Sequence, residues 1–343
     1  MEKKNSCCKV CVTGGAGYIG SWLVKKLLEK QYTVHATLKN LKDESKVGLL
    51  RSLPNANSTR LVLFEADIYN PDEFEKAIQG CEFVFHVATP MHHSVGSNKY
   101  KNVTEAAVAS AKSIAKFCAK SGTVRRLIYT ASVVAASPIK DCGSGFMDFM
   151  DETLWTPLNV SFPYCDLHKD YLQSKTLTEQ EILSYGHQKI GGGLEVVSLA
   201  CGLVGGRDTL LSFTPLTVAV LISQLTNNAN FYKSLKYMEE LLGKIPVIHL
   251  DDVCEAHIFC MENNQPMNGR FLCASSFVST SEIATYYLQN YPQLRPKQEY
   301  LDGPKREIKW ASTKLIDKGF VYKYDINMIL DDSITCARRM GDI

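Results

Sequence analysis

Along the first 205 positions, short apolar runs of β-forming residues alternate with longer stretches in which apolar positions return every three or four residues. The runs are VCV (10–12), YTVHATL (32–38), RLVLFEAD (60–67), CEFVFHVAT (81–89), RRLIYTAS (125–132) and GLEVVSLACGLVG (193–205). Between the first two, Ile19, Trp22, Leu23, Leu27 and Leu28 recur at helical spacing, and residues 102–120 read as a long helix. Helices between short apolar strands predict right-handed βαβ units and an α/β fold built on a doubly wound parallel sheet. From about position 207 the pattern loosens, KIPVIHLDDV (244–253) returns as a strand-like segment, and the tail from Phe271 mixes strand and helix pieces broken at Pro292 and Pro296. The expected division is a nucleotide-binding domain of residues 7–205 with a return segment 244–262, and a smaller substrate-binding region of residues 206–243 and 263–343.

The turn after the first strand, TGGAGYIGSW, places Gly14, Gly15, Gly17 and Gly20 within seven residues. Glycine serves where the backbone takes positive φ or where another group must come close. A helix N-terminus just beyond, opened here by Tyr18 and Ile19, offers N–H groups and a positive dipole end to a phosphate. Strand, glycine turn and helix together predict a pyrophosphate cradle.

Composition narrows the class without changing the fold. A chain of 343 residues, 45% hydrophobic, buries a large core. A net charge of +2 argues for neither nucleic acid nor a membrane surface as partner. No apolar run approaches the roughly 18–20 residues of a membrane span, and the polar start MEKKNSCC lacks a secretory apolar segment. The expectation is a cytoplasmic protein, monomeric or a weak homodimer, whose partner is a small-molecule substrate. Twelve cysteines without framework spacing fit a reducing compartment. Cys8 and Cys11 lie three apart on a strand and so point to opposite faces, which argues against a shared metal or a disulfide, and no metal site is expected.

The chemistry enters at Tyr171-Leu172-Gln173-Ser174-Lys175. A spacing of four puts Tyr171 and Lys175 on one helix face. A phenol of ordinary pKa near 10 is a weak acid–base group at neutral pH, and an adjacent ammonium is expected to lower it. Ser132 ends the fifth strand, where the C-terminal strand edges of such sheets meet their ligands, and its hydroxyl suits a substrate carbonyl held beside the tyrosine.

At these residues the chain resembles the plant dihydroflavonol reductase family, with anthocyanidin reductase and vestitone reductase, among the extended short-chain dehydrogenase/reductases of Rossmann fold. The carrying stretches are TGGAGYIGSW, FEADIYNP, CEFVFHVATP, RRLIYTAS, YLQSKTLTE, VIHLDDVCEAHIF and GFVYKYDI. The resemblance implies a catalytic triad of Ser132, Tyr171 and Lys175, with Lys175 also on the nicotinamide ribose. It implies that Gly14, Gly17, Tyr18 and Ile19 hold the pyrophosphate, that Asp67 and Ile68 meet the adenine, and that Val87, Ala88 and Thr89 run beside the cofactor. Ala200 replaces the family's usual proline in the strand after the catalytic helix, and Ala200, Leu203 and Val204 are placed on the cofactor's nicotinamide side. Ser137 stands where dihydroflavonol reductases carry a substrate-binding asparagine, and the NWYCYGK motif of cinnamoyl-CoA reductases is missing, so a different substrate within the family is implied.

The second strand ends in Leu38-Lys39-Asn40, without the carboxylate that binds the ribose hydroxyls of NAD, and Lys46 follows. Lys39 and Lys46 therefore point to NADPH. His86 and His249 read as structural histidines. His92, after the fourth strand, and Ser137, Phe162 and Phe213 are the candidate substrate contacts. The expected activity is NADPH-dependent hydride transfer to a ketone or related electrophilic carbon of an apolar, ring-containing plant metabolite, flavonoid-like or alkaloid-like. The alternatives are a nucleotide-sugar epimerase or dehydratase using tightly bound NAD, and a catalytically silent NADP-binding regulator.

Overall fold

The structure is a computed structural model that describes residues 8–90, 99–141, 143, 145–187, 193–206 and 209–343. The chain divides into two compact units: Met1–Ala131 with Gln173–Leu199 and Cys254–Arg270, and Ser132–Leu172 with Ala200–Val253 and Phe271–Ile343.

The expected doubly wound sheet is present. Its seven strands run in the order Gly269–Cys273, Glu195–Cys201, Arg126–Ser132, Phe83–His86, Lys9–Thr13, Thr33–Leu38, Leu61–Glu65. The opening strand pairs in parallel with both Thr33–Leu38 and Phe83–His86, the latter with Arg126–Ser132, and Thr33–Leu38 with Leu61–Glu65. Chain order and spatial order reverse direction beside the opening strand, and the C-terminal strand ends there form the edge on which such folds hold their ligands.

Helix Tyr18–Glu29 buries Gly20, Leu23, Val24, Leu27 and Leu28, a stripe at helical period against the sheet. Ile19 and Trp22, read from the pattern as part of that stripe, are instead half-buried at its margin, and Lys25 Nζ lies 4.0 Å from the Trp22 ring centre. Each fully buried leucine of the stripe contributes about 2–3 kcal/mol of apolar transfer. Helix Val103–Ser121 starts where Asn102 accepts a hydrogen bond from Glu105 N (2.8 Å) and ends at Gly122 in the left-handed conformation (φ 69°).

The single strand expected over 193–205 is two strands, Glu195–Cys201 and Leu203–Gly205, broken at Gly202. A Cβ at Gly202 would lie 2.6 Å from the Pro246 carbonyl oxygen, and Gly202 N–H donates to Cys273 O (3.0 Å). The chain changes partners there, and Leu203–Gly205 joins Ile245–His249 and Ser276–Val278 in a three-stranded sheet. The segment 244–253 is strand only to His249, after which helix Leu250–Glu262 begins. Helices Leu216–Leu221, Ala229–Leu242, Thr280–Asn290 and Ile326–Met340 pack around a core containing Leu221, Leu235, Ile245, Tyr287 and Ile329. Among the described residues no helix is long and apolar enough to cross a membrane.

Candidate active site

The glycines of the first turn have separate physical causes. Gly14 has φ +68°, and Gly14 N–H and Gly15 N–H donate to Thr37 Oγ1 (3.2 Å) and Thr37 O (2.9 Å), tying the turn to the end of the second strand. A Cβ at Gly15 would sit 2.9 Å from Ala36 Cβ, and one at Gly20 only 2.2 Å from Gly14 O. Gly17 is the N-cap of helix Tyr18–Glu29; no side chain caps that end and no acidic residue stands in its first turn. A dinucleotide pyrophosphate fits such a helix start, where the charge of the peptide dipoles is left to a ligand.

Lys39, Asp67, Ile68 and Val87–Thr89 follow successive strands of the same unit. Lys39 follows Thr33–Leu38 and pairs with Asp67 (Nζ–Oδ2 3.1 Å), while Asp67 Oδ1 accepts from Tyr69 N (3.1 Å) and Asp67 N–H donates to Glu73 (2.8 Å). Lys39 and Asp67 are therefore brought together. Lys46 is not: it pairs with Asp43 (3.0 Å) at the start of helix Glu44–Arg51. Thr13 fixes the next strand end. Its Oγ1 accepts the N–H groups of Val87 and Ala88, both at 3.0 Å, so its own hydrogen goes to His86 Nδ1 (3.0 Å). That leaves His86 neutral with its proton on Nε2, and burial, reinforced by the Lys175 charge, lowers its pKa to about 3.

Lys175 is buried, and its ammonium donates to Thr89 Oγ1 (2.9 Å) and Thr130 O (3.0 Å). One turn further along helix Lys169–His187, buried Glu179 accepts from Ser198 Oγ (2.6 Å) and from Arg270 Nε and Nη2 (both 3.0 Å), fastening the helix to two strands of the sheet. The TEQE run that holds Glu179 has the composition of a solvated face, which hid it. The pairing partner lies 91 residues away, so no local signal marks it. Ile68, Ala88 and Thr89 line a water-sized cavity of about 10 Å³ with His86 and Thr178.

Ser132 and Tyr171, the hydroxyls expected to meet the substrate, both lie in the second unit. Tyr171 is hydrogen-bonded to Ser132, and Ser132 Oγ also accepts from Val134 N (3.4 Å). The expected lowering of the Tyr171 pKa is corrected here. Burial pushes the phenol above its ordinary value, with the Ser132 hydrogen bond opposing, so the group is a neutral O–H donor at physiological pH.

The expected substrate contacts divide. Phe162 is buried against Tyr237 (ring centres 5.6 Å apart), ahead of helix Lys169–His187 in the chain. Ser137 is buried with its hydroxyl donating to Leu241 O and accepting from Ile139 N (3.0 Å); the fold uses it, and it presents no free hydroxyl. Phe213 is 60% exposed. Ala200, Leu203 and Val204 are buried. His92 lies outside the described residues. Tyr237, on helix Ala229–Leu242, is buried between Phe162 and His168, whose ring centre lies 4.9 Å from its own.

Comparison with known proteins now decides the family. The profile of the "NAD dependent epimerase/dehydratase family" matches residues 10–274. The chain belongs to that family. Within it, this is an oxidoreductase of the plant dihydroflavonol, anthocyanidin and vestitone reductase group of extended short-chain dehydrogenase/reductases. It is 34% identical over 333 residues to a putative anthocyanidin reductase of Ginkgo biloba, covering 97% of this chain and 95% of the relative. Identity to vestitone reductase of Medicago sativa is 34% over 342 residues, covering 97% and 98%. The crystal structure of vestitone reductase from alfalfa superposes with a TM-score of 0.77 at 33% identity, covering 98% of this chain and 99% of that one.

Proposed function

We propose that this enzyme is an NADPH-dependent reductase that adds hydride to a ketone or related electrophilic carbon of a neutral, ring-containing plant metabolite of flavonoid-like or alkaloid-like character. The observation that carries the reading is the Tyr171–Ser132 hydrogen bond on a phenol kept protonated by burial, with Lys175 one helical turn away. Ser132 and Tyr171 together receive a carbonyl oxygen, Ser132 orienting it and Tyr171 giving up its proton as negative charge develops there. Bound reduced nicotinamide supplies the hydride. Lys175, held by Thr89 and Thr130, places a positive charge near the phenolate that Tyr171 leaves. Lys175 would also hold a hydroxyl of the nicotinamide ribose, as the family resemblance implies.

The residues present fit NADP better than NAD. Lys39 directly follows the second strand, Thr33–Leu38, and among the described residues the carboxylate paired to it is Asp67, from beyond the next strand. A 2′-phosphate would take Lys39 as a charge-assisted partner. The cytoplasmic assignment and the monomer or weak-homodimer state remain part of this proposal. The test is NADPH consumption with product mass across ring ketones and aldehydes, set against UDP-sugars. Reduction of a ring ketone is the expected result, and inhibition by a nucleotide-sugar at lower concentration than any ring ketone would replace the reading with the epimerase one.

A further inference from the structure

His257 is a wholly buried titratable side chain that the mechanism above does not use. Two hydrogen bonds connect it to the Lys175 ammonium through a single residue, Thr130, all within the first unit.

Lys175 Nζ donates to the main-chain carbonyl of Thr130 (3.0 Å), while Thr130 Oγ1 and His257 Nε2 share a hydrogen bond of 2.7 Å. All three residues are buried, so bulk water does not compete for either bond. The place of Thr130 in the sheet explains why its peptide needs an anchor. Strand Arg126–Ser132 pairs with Phe83–His86 as far as Tyr129 opposite His86, and Thr130 stands one residue past that register. On that side the ladder no longer holds the strand, and the peptide that carries the lysine's acceptor relies on what its side chain grips. The other acceptor, Thr89 Oγ1 (2.9 Å), sits on a side chain that rotates, so the Thr130 carbonyl is the fixed direction for the ammonium.

His257 is itself firmly held. Its ring centre lies 6.2 Å from that of buried Phe85, and its helix, Leu250–Glu262, is tied down on two sides. Arg126, on the same strand face as Thr130 at the two-residue period, donates to Met261 O (3.3 Å) and Asn263 O (3.2 Å) and binds Glu195 Oε2 through Nε (2.6 Å). Lys26 pairs with Glu255 (2.8 Å), and the Tyr32 hydroxyl donates to Glu262 (2.9 Å). One strand face is thus stapled to one helix at Arg126 and again at Thr130, and the second staple ends on the lysine.

We propose that His257 is a positioning residue for the reduction: by gripping the Thr130 side chain it fixes the carbonyl that aims the Lys175 ammonium. That role rests on the reductase reading above, in which the lysine's charge serves the phenolate left by Tyr171. A charge aimed by buried main chain keeps its direction through each turnover.

The test uses Thr130→Val, which keeps the shape and the carbonyl and removes the hydroxyl, with Thr130→Ser as its rescue. For each folded protein, kcat and ketone KM are measured with NADPH, and the hydrogen-exchange rate of the Lys175 ammonium is measured by nitrogen-15 NMR in the free enzyme. In Thr130→Val, kcat per NADPH-binding site should fall about 5- to 10-fold, the worth of one hydrogen bond, with KM within about twofold of wild type. The ammonium should exchange faster by about the same factor, and Thr130→Ser should restore both quantities. His257→Asn, too short to reach Thr130, should reproduce the loss, and His257→Gln, whose amide stands in for Nε2, should recover it, so the outcome does not hang on one variant folding. A wild-type kcat or an unchanged exchange rate in the folded Thr130→Val or His257→Asn protein overturns the proposal. So does an equal loss in the two rescue variants, which marks packing alone. If the wild type reduces no ketone, the reductase reading fails, and the ammonium exchange rates then decide by themselves whether His257 positions Lys175.

Discussion

Replacing Gly20 by alanine tests the glycine turn where the geometry is least forgiving. The new Cβ would lie 2.2 Å from Gly14 O and 3.0 Å from Gly14 C, whereas ordinary contacts begin at 3.4 Å. Helix and turn must therefore separate by about 1 Å, and the obstacle is backbone, which cannot rotate away. Overpacking of this kind costs on the order of 3 kcal/mol. The displaced carbonyl is the one that accepts Gly17 N–H (3.0 Å), so the distortion falls on the helix start that is assigned to the pyrophosphate. If cofactor binding requires the undistorted turn, that energy appears as lost affinity, about 100-fold in the NADPH Kd. Titration of NADPH by protein fluorescence quenching measures this directly. Gly48→Ala is the control, since a Cβ there meets nothing within 4 Å on an exposed helix position; it should stabilise by about 0.5–1 kcal/mol and bind NADPH as the wild type does. Wild-type NADPH affinity in Gly20→Ala would refute the assignment of this turn to the cofactor.

Lys39→Ala should lower the NADPH/NADH ratio of kcat/KM by roughly 10- to 100-fold, the worth of a charge-assisted phosphate contact, and an unchanged ratio removes Lys39 from that role. His86, with an unfolded pKa near 6.5 and a folded value of about 3, takes up its proton only in the unfolded chain between those values. Wild-type stability should therefore fall as pH drops from about 6.5 towards 3, at up to about 1.4 kcal/mol per pH unit. His86→Gln lacks that loss, so the gap in urea midpoint between the two proteins should narrow as pH falls; a constant gap contradicts a neutral, Thr13-bonded His86.

The alternation of apolar runs was enough to read the parallel sheet, because strands buried on both faces and helices of period 3.6 leave different patterns. Spacing alone brought Tyr171 and Lys175 to one helix face, and Ser132 followed from its place at a strand end. Long-range pairing was not legible. Nothing near Glu179 announces Arg270, and nothing near Ser137 announces that Leu241 O would take its hydroxyl. The break at Gly202 was hidden because a glycine inside an apolar run looks the same whether the strand continues or changes sheets. The direction of the Tyr171 shift was misread for a related reason: sequence shows the neighbouring charge but not the burial that outweighs it.

The central claim is that Tyr171 is the proton donor in an NADPH-dependent carbonyl reduction, and Tyr171→Phe tests it most directly. The measurement is the rate of NADPH oxidation with the best ketone of the panel, alongside the NADPH Kd of the same protein. Loss of about 10²- to 10⁴-fold in kcat with a Kd within about twofold of wild type is predicted, since the phenol hydrogen is removed while Lys175 and the glycine turn remain. A variant that turns over at the wild-type rate would contradict the account.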